Sequence, residues 1–160
     1  MGIQLRASQP DIPEVCRQMS ALRDTLRHLS HELMPPQFSH GVLLNEALGY
    51  YLSHIERPVV NFRTEGGDWG KIPSNTCYQL YRIVQEAIGN IITHQPDATV
   101  EVLLSHQDNT LKLFVTSKGE VKHGDGRGIG LQSMQDRANS IGSKLTIEQN
   151  DDVWHLQMIR

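Results

Sequence analysis

Residues 84–94 read VQEAIGNIITH. Glu86, Asn90 and His94 recur there at four-residue steps, and residues four apart are neighbours on one face of an α-helix. The other side carries Leu80, Ile83, Val84, Ala87, Ile88, Ile91 and Ile92, so the segment predicts an amphipathic helix with one apolar stripe for a core. A polar face on such a helix is ordinary, but the make-up of this one is selective. A carboxylate polarises a water, and a His approaches a phosphate. A carboxamide oxygen holds a hard cation such as Mg2+, which prefers oxygen ligands.

Outward from this helix the chain shows two regimes. Downstream of Arg57 the pattern is mixed. PVVNFRTEG (58–66) predicts a strand, and PSNTCYQLYRIVQEAIGNIITH (73–94) a long helix opened by a Ser or Asn cap. ATVEVLLSHQDNTLKLFVTSKG (98–119) alternates with period two on both sides of Asp108-Asn109, which predicts a hairpin. A Gly-rich loop then runs into a helix, and KLTIEQNDDVWHLQMIR (144–160) closes with a hairpin turning at Asn150–Asp152. Residues 57–160 are therefore expected to form an α+β sandwich, helices on one sheet with hairpin-type pairing.

The upstream regime, 11–56, is helical. Ile12, Val15, Met19, Leu22, Leu26, Leu29 and Leu33 fall at three- and four-residue steps, close to a coiled-coil seam, and Pro35-Pro36 stops the run. A second amphipathic pattern follows over residues 39–55. Together they predict a helical hairpin whose stripe needs a partner copy, hence a dimeric four-helix bundle.

Composition narrows the function classes. The chain has 160 residues, 38% of them hydrophobic, and a formal net charge of −3, which argues against sequence-blind nucleic-acid binding. Cys16 and Cys77 stand in no metal or redox spacing, as in a reducing compartment. No apolar run reaches bilayer-spanning length, and the N-terminal residues lack the apolar core of a signal peptide. The loop GDGRGIGL (124–131) places Gly126, Gly128 and Gly130 before a helix, where backbone amides approach an anion closely. It is neither a dinucleotide fingerprint nor a P-loop, because no parallel βαβ unit surrounds it and no Gly-Lys-Ser/Thr follows.

In this order, the Glu-Ala-x-x-Asn-x-x-x-His helix, the hairpin and the Gly-x-Gly-x-Gly-Leu helix start resemble the ATP-binding domain of sensor histidine kinases. That is the Bergerat-type fold shared with gyrase. The resemblance covers roughly residues 58–160 and is nearest to the nitrate-sensor-like subgroup, where the helix ends in a Lys/Arg-His-Ala run and ITHQPDA stands in its place. It implies MgATP as substrate and cofactor. Glu86 would orient the group near the γ-phosphate, Asn90 would ligate Mg2+, and His94 would approach phosphate. Gly126, Gly128 and Gly130 would match the second glycine box, a phosphate-wrapping lid.

One position departs from the pattern. In LFVTSKGEV, Ser117 stands where the family carries the Asp that accepts from the adenine amine, with Lys118 before Gly119 of the first glycine box. Losing a charge-assisted hydrogen bond costs about 1–3 kcal/mol. That is roughly 5- to 150-fold in affinity. The loop between the two glycine boxes, GEVKHGD, is also short for a lid.

The resemblance extends to LRHLSHELMPP (26–36), where His31 followed by Glu32 looks like the family's phosphoacceptor box. The neighbouring carboxylate would orient the imidazole and take up its proton as the nitrogen attacks phosphorus. Two readings follow. The first is the cytoplasmic catalytic core of a two-component kinase, a homodimer through the hairpin. It would autophosphorylate His31 and pass the phosphoryl group to an Asp on a response-regulator receiver domain. It would contact no nucleic acid and reach the membrane only through upstream segments. The second is a degenerate, kinase-like dimeric module that docks a response regulator with ATP binding weakened or lost.

Overall fold

The computed structural model describes residues 19, 38, 41–120, 129–150 and 152–160. The chain divides into two compact units, Met1–Pro35 and Pro36–Arg160, and all described residues except Met19 belong to the second. His31, Glu32, Gly126 and Gly128 lie outside the described residues, as does the first arm of the expected hairpin apart from Met19.

The second unit is α+β. In chain order it runs α1 (Leu44–Ser53), β1 (Val59–Gly66), a short 3₁₀ turn (Trp69–Lys71), α2 (Ser74–His94), β2 (Thr99–Gln107), β3 (Thr110–Lys118), α3 (Ile129–Ser140), β4 (Lys144–Asn150) and β5 (Val153–Ile159). The five strands form one sheet in the order β1-β2-β3-β5-β4. Period-two burial explains its inner face. Val100, Val102 and Leu104 of β2, Leu111, Leu113 and Val115 of β3, and Trp154, Leu156 and Met158 of β5 are buried at alternate positions. The expected stripe of α2 covers this face with Leu80, Ile83, Val84, Ala87, Ile88 and Ile91, while Ile92 remains exposed. Met134 and Ala138 of α3 complete the layer, and Arg137 donates to Gln79 Oε1 at 3.0 Å, tying α3 to α2.

Three local outcomes differ from the sequence pattern. The β2–β3 turn is as expected, with Asp108 and Asn109 both at positive φ (48° and 61°), the geometry of a two-residue hairpin turn. The β1–β2 pair, however, is parallel, Val59 opposite Thr99 through Gly66 opposite His106. Parallel neighbours need a crossover, and the 21 residues of α2 supply it. Second, α2 opens at Pro73 with no side-chain cap, where Ser or Asn was expected to cap it.

The third concerns the helix within residues 39–55, expected as the hairpin's second arm. It forms as α1, but Leu44, Ala47, Leu48 and Leu52 are buried in the same core as α2 and the sheet. Gly49 faces the Phe62 ring of β1, and Tyr51 packs on Tyr81 with ring centroids 5.7 Å apart. The apolar face that a bundle partner would have covered is used within this unit.

Candidate functional site

The site forms where the middle of α2 meets the start of α3. Glu86 and Asn90 are half-buried on one face of α2, one turn apart. Gly130, the second residue of α3, passes directly over them. A Cβ at Gly130 would collide with Glu86 Oε1 and would lie 3.2 Å from Glu86 Cδ and 3.3 Å from Asn90 Nδ2. Glycine is thus what allows α3 to start this close. The first turn of a helix carries partial positive charge, and the Glu86 carboxylate lies against it. A carboxylate, a carboxamide and an anion-favouring helix start therefore converge from two elements that are remote in sequence.

This donor set suits Mg2+ with phosphates better than a protein-built metal cage. Among the described residues, no group of three or more His, Cys, Asp or Glu side chains is placed to hold a metal. Mg2+ commonly takes one or two protein oxygens and completes its shell with phosphates and water. The Asn90 carboxamide oxygen is the candidate protein ligand. His94, the last residue of α2, is half-buried two turns beyond Glu86.

Beyond the end of α2 the chemistry changes. Ser117 belongs to the inward row of β3, opposite Val100 on one side and Trp154 on the other, and is 0% exposed. Its hydroxyl donates to Gln95 Oε1. Gln95, the residue after His94, is 3% exposed, and its Nε2 donates to the Gly119 carbonyl at 2.8 Å and to the Asp152 carbonyl at 3.4 Å. The Gly119 N–H in turn donates to Asp152 O at 2.9 Å. Gly119 itself lies tight against the chain, since a Cβ there would sit 2.8 Å from Ala98 Cα.

Sequence reasoning singled out Ser117 and Gly119 but missed Gln95. Its signal was its position, directly after His94, where the family's run ends in Ala. An uncharged side chain at a helix end draws no notice until its partners, 22 and 57 residues away, are known.

No protein-family model matches the chain. Curated relatives do. The oxygen sensor histidine kinase NreB of Staphylococcus carnosus is 31% identical over 137 residues, 81% of this chain and 39% of that protein. Sensor histidine kinase YxjM of Bacillus subtilis is 27% identical over 146 residues, 89% of this chain and 36% of that protein. The chain is a relative of the sensor histidine kinases. It spans less than two-fifths of the length of these two kinases. The fold agrees. The histidine kinase domain of the EL346 blue-light activated histidine kinase from Erythrobacter litoralis superposes with a TM-score of 0.60 at 17% identity, covering 74% of this chain and 60% of that one. No helix among the described residues of this histidine-kinase relative is long and apolar enough to cross a membrane.

Proposed function

We propose that the chain is the nucleotide-binding catalytic core of a two-component sensor histidine kinase of the nitrate-sensor-like subgroup, using MgATP to phosphorylate a histidine. The observation that carries this reading is the meeting of Glu86 and Asn90 with Gly130 at the start of α3. It joins the polar face of α2 to the end of the Gly-rich loop, the two motifs on which the resemblance stands.

The roles follow from the chemistry. Asn90 offers its amide oxygen to Mg2+, and bound Mg2+ neutralises charge between phosphates. The α3 start favours phosphate charge, with Gly126 and Gly128 extending the amide cradle. Glu86 orients the group near the γ-phosphate, Glu32 takes up the proton of the attacking imidazole, and His94 approaches phosphate. His31, with Glu32 beside it, is the proposed phosphoacceptor, in the separate unit Met1–Pro35. The phosphoryl group then passes to a response-regulator Asp. Dimerisation, expected through the hairpin 11–56, would run through its first arm, because α1 has its apolar face in the α/β core. The proposed setting is the cytoplasmic side of a larger, membrane-anchored sensor.

A second reading has one observation in its favour. The buried Ser117–Gln95 pair leaves no carboxylate for the adenine amine, which supports a kinase-like docking module with weakened ATP binding. Titration calorimetry with MgATP separates the two, with Asn90→Ala as control. Binding that disappears in Asn90→Ala supports the kinase reading, and label transfer from γ-labelled ATP that is lost in His31→Gln then identifies the acceptor. No heat at millimolar MgATP sinks the kinase reading for this chain and leaves the docking module.

A further inference from the structure

On the nucleotide-site reading above, we propose that Gln95 is a built-in occupant of the base end of the site. With Ser117 it closes the position from which a base would be recognised, so this chain binds the metal-triphosphate part of a nucleotide with little regard for the base.

The hydrogen-bond inventory carries the inference. A carboxamide has two N–H donors and one oxygen. Nε2 of Gln95 donates to the carbonyl of Gly119 at 2.8 Å and, more weakly, to that of Asp152 at 3.4 Å. Its oxygen accepts from Ser117, whose only hydrogen is thereby used. The clasp joins three segments: the residue after α2, the end of β3 and the β4–β5 turn. Both side chains are almost wholly buried, so each group depends on the other for its partner. Among the described residues of the clasp, a ligand amine meets no free, charged acceptor and must first open the clasp.

The two positions are also matched to each other. Asp at 117 would set a carboxylate against Gln95 Oε1. Turning the carboxamide over would satisfy the Asp but would aim Oε1 at the Gly119 and Asp152 carbonyls. One substitution alone is therefore frustrated. Asp at 117 becomes compatible only when the carboxamide is removed as well. Gln95 is a specificity-determining residue that acts by occupation, and it leaves Glu86, Asn90 and Gly130 untouched.

The test is competition calorimetry on the full chain with MgATP, MgGTP and Mg-tripolyphosphate, then on Ser117→Asp, Gln95→Ala and the double variant, each checked for folding by its thermal melt. The wild type is expected to bind all three within about threefold, since no base contact discriminates among them. Gln95→Ala/Ser117→Asp is expected to gain about tenfold for ATP over GTP, the worth of one hydrogen bond to a charged group, while Ser117→Asp alone gains nothing.

A wild-type preference for ATP over GTP of about tenfold or more would overturn the inference without any variant, because the base would be recognised with the clasp in place. So would a folded double variant that gains no ATP selectivity. In both cases Asn90-dependent binding would survive, and with it the kinase reading. Absence of binding by all three ligands, unaffected by Asn90→Ala, would remove the phosphate site itself and this inference with it.

Discussion

The two ends of the proposed site solve opposite problems. Towards α3, Glu86 and Asn90 are half-buried polar side chains with no hydrogen bond to another described residue, held close to a helix start that favours anions. Past the end of α2, Gln95 and Ser117 are sealed and internally satisfied. A polar group kept accessible and unpaired beside a helix start is available for a ligand. A polar group buried with its valences filled is serving the fold, since leaving it unpaired costs about 1–3 kcal/mol. The comparison predicts a split. Substitutions at the sealed end should damage stability first, and substitutions at the open end should damage binding with the fold intact.

Leu48→Ala provides the yardstick for a fold-damaging change. Leu48 is 0% exposed in α1, so truncation should cost about 2–5 kcal/mol in urea melts of the described unit. A cost below roughly 0.5 kcal/mol would return α1 to the role of an unattached bundle arm. Gly119→Ala carries the contrast into the sealed end. The added Cβ meets the Ala98 backbone, at 2.8 Å from its Cα, and backbone cannot swing aside as a side-chain tip can. A loss of about 1–3 kcal/mol is expected, by analogy with overpacking. At Gly130 the obstacle is instead the end of the flexible Glu86 side chain. Gly130→Ala should therefore cost less stability than Gly119→Ala while displacing Glu86. Equal losses at both glycines would erase the distinction between the ends.

How much of this was legible before the structure depends on whether the signal is local. The apolar stripe of α2, the Asp108-Asn109 turn and the strand alternation are properties of a few adjacent residues, and each formed where the pattern placed it. The convergence of Glu86, Asn90 and Gly130 was legible only through the family resemblance, which implied one site for them. Three things were not. The direction of the β1–β2 pairing is decided by where α2 returns the chain. The packing of α1 depended on which core offered its stripe the better cover, which amphipathicity alone does not say. The clasp joins an uncharged helix-end residue to a strand residue and two carbonyls from distant segments, and no spacing rule connects them.

A titration sharpens the meaning of burial at the start of α2. The Cys77 thiol donates to Ile72 O at 3.7 Å, and burial pushes its pKa up from 9.0 to about 11. Burial also raises the Tyr51 and Tyr81 phenols. The folded chain thus keeps these protons where the unfolded chain releases them. The contribution to stability is complete below about pH 9 and is lost as pH rises towards 11. For the thiol, the slope should be no steeper than about 1.4 kcal/mol per pH unit. Urea melts across this window check the sign, and slow alkylation of Cys77 in the native chain checks its burial. Melts that stay flat through the window would break the link.

The smallest stability effect, and the sharpest test of the comparison, belongs to Asn90→Ala. The side chain is half-buried, makes no hydrogen bond to another described residue, and is replaced by the best helix former. Its loss creates no cavity in the sheet-facing core, which α2 builds from Ile83, Ala87, Ile88 and Ile91. The melting free energy should move by less than about 0.5 kcal/mol. Magnesium-dependent nucleotide binding should nevertheless disappear, because the proposed protein oxygen on the metal is gone. The informative quantity is the pair of results from one variant. An intact melt with lost binding means that Asn90 is kept for a ligand and not for the fold. A melt lowered by 1 kcal/mol or more, about the worth of one internal hydrogen bond, would mean that Asn90 is structural after all, and the open end would then differ from the sealed end only in its exposure.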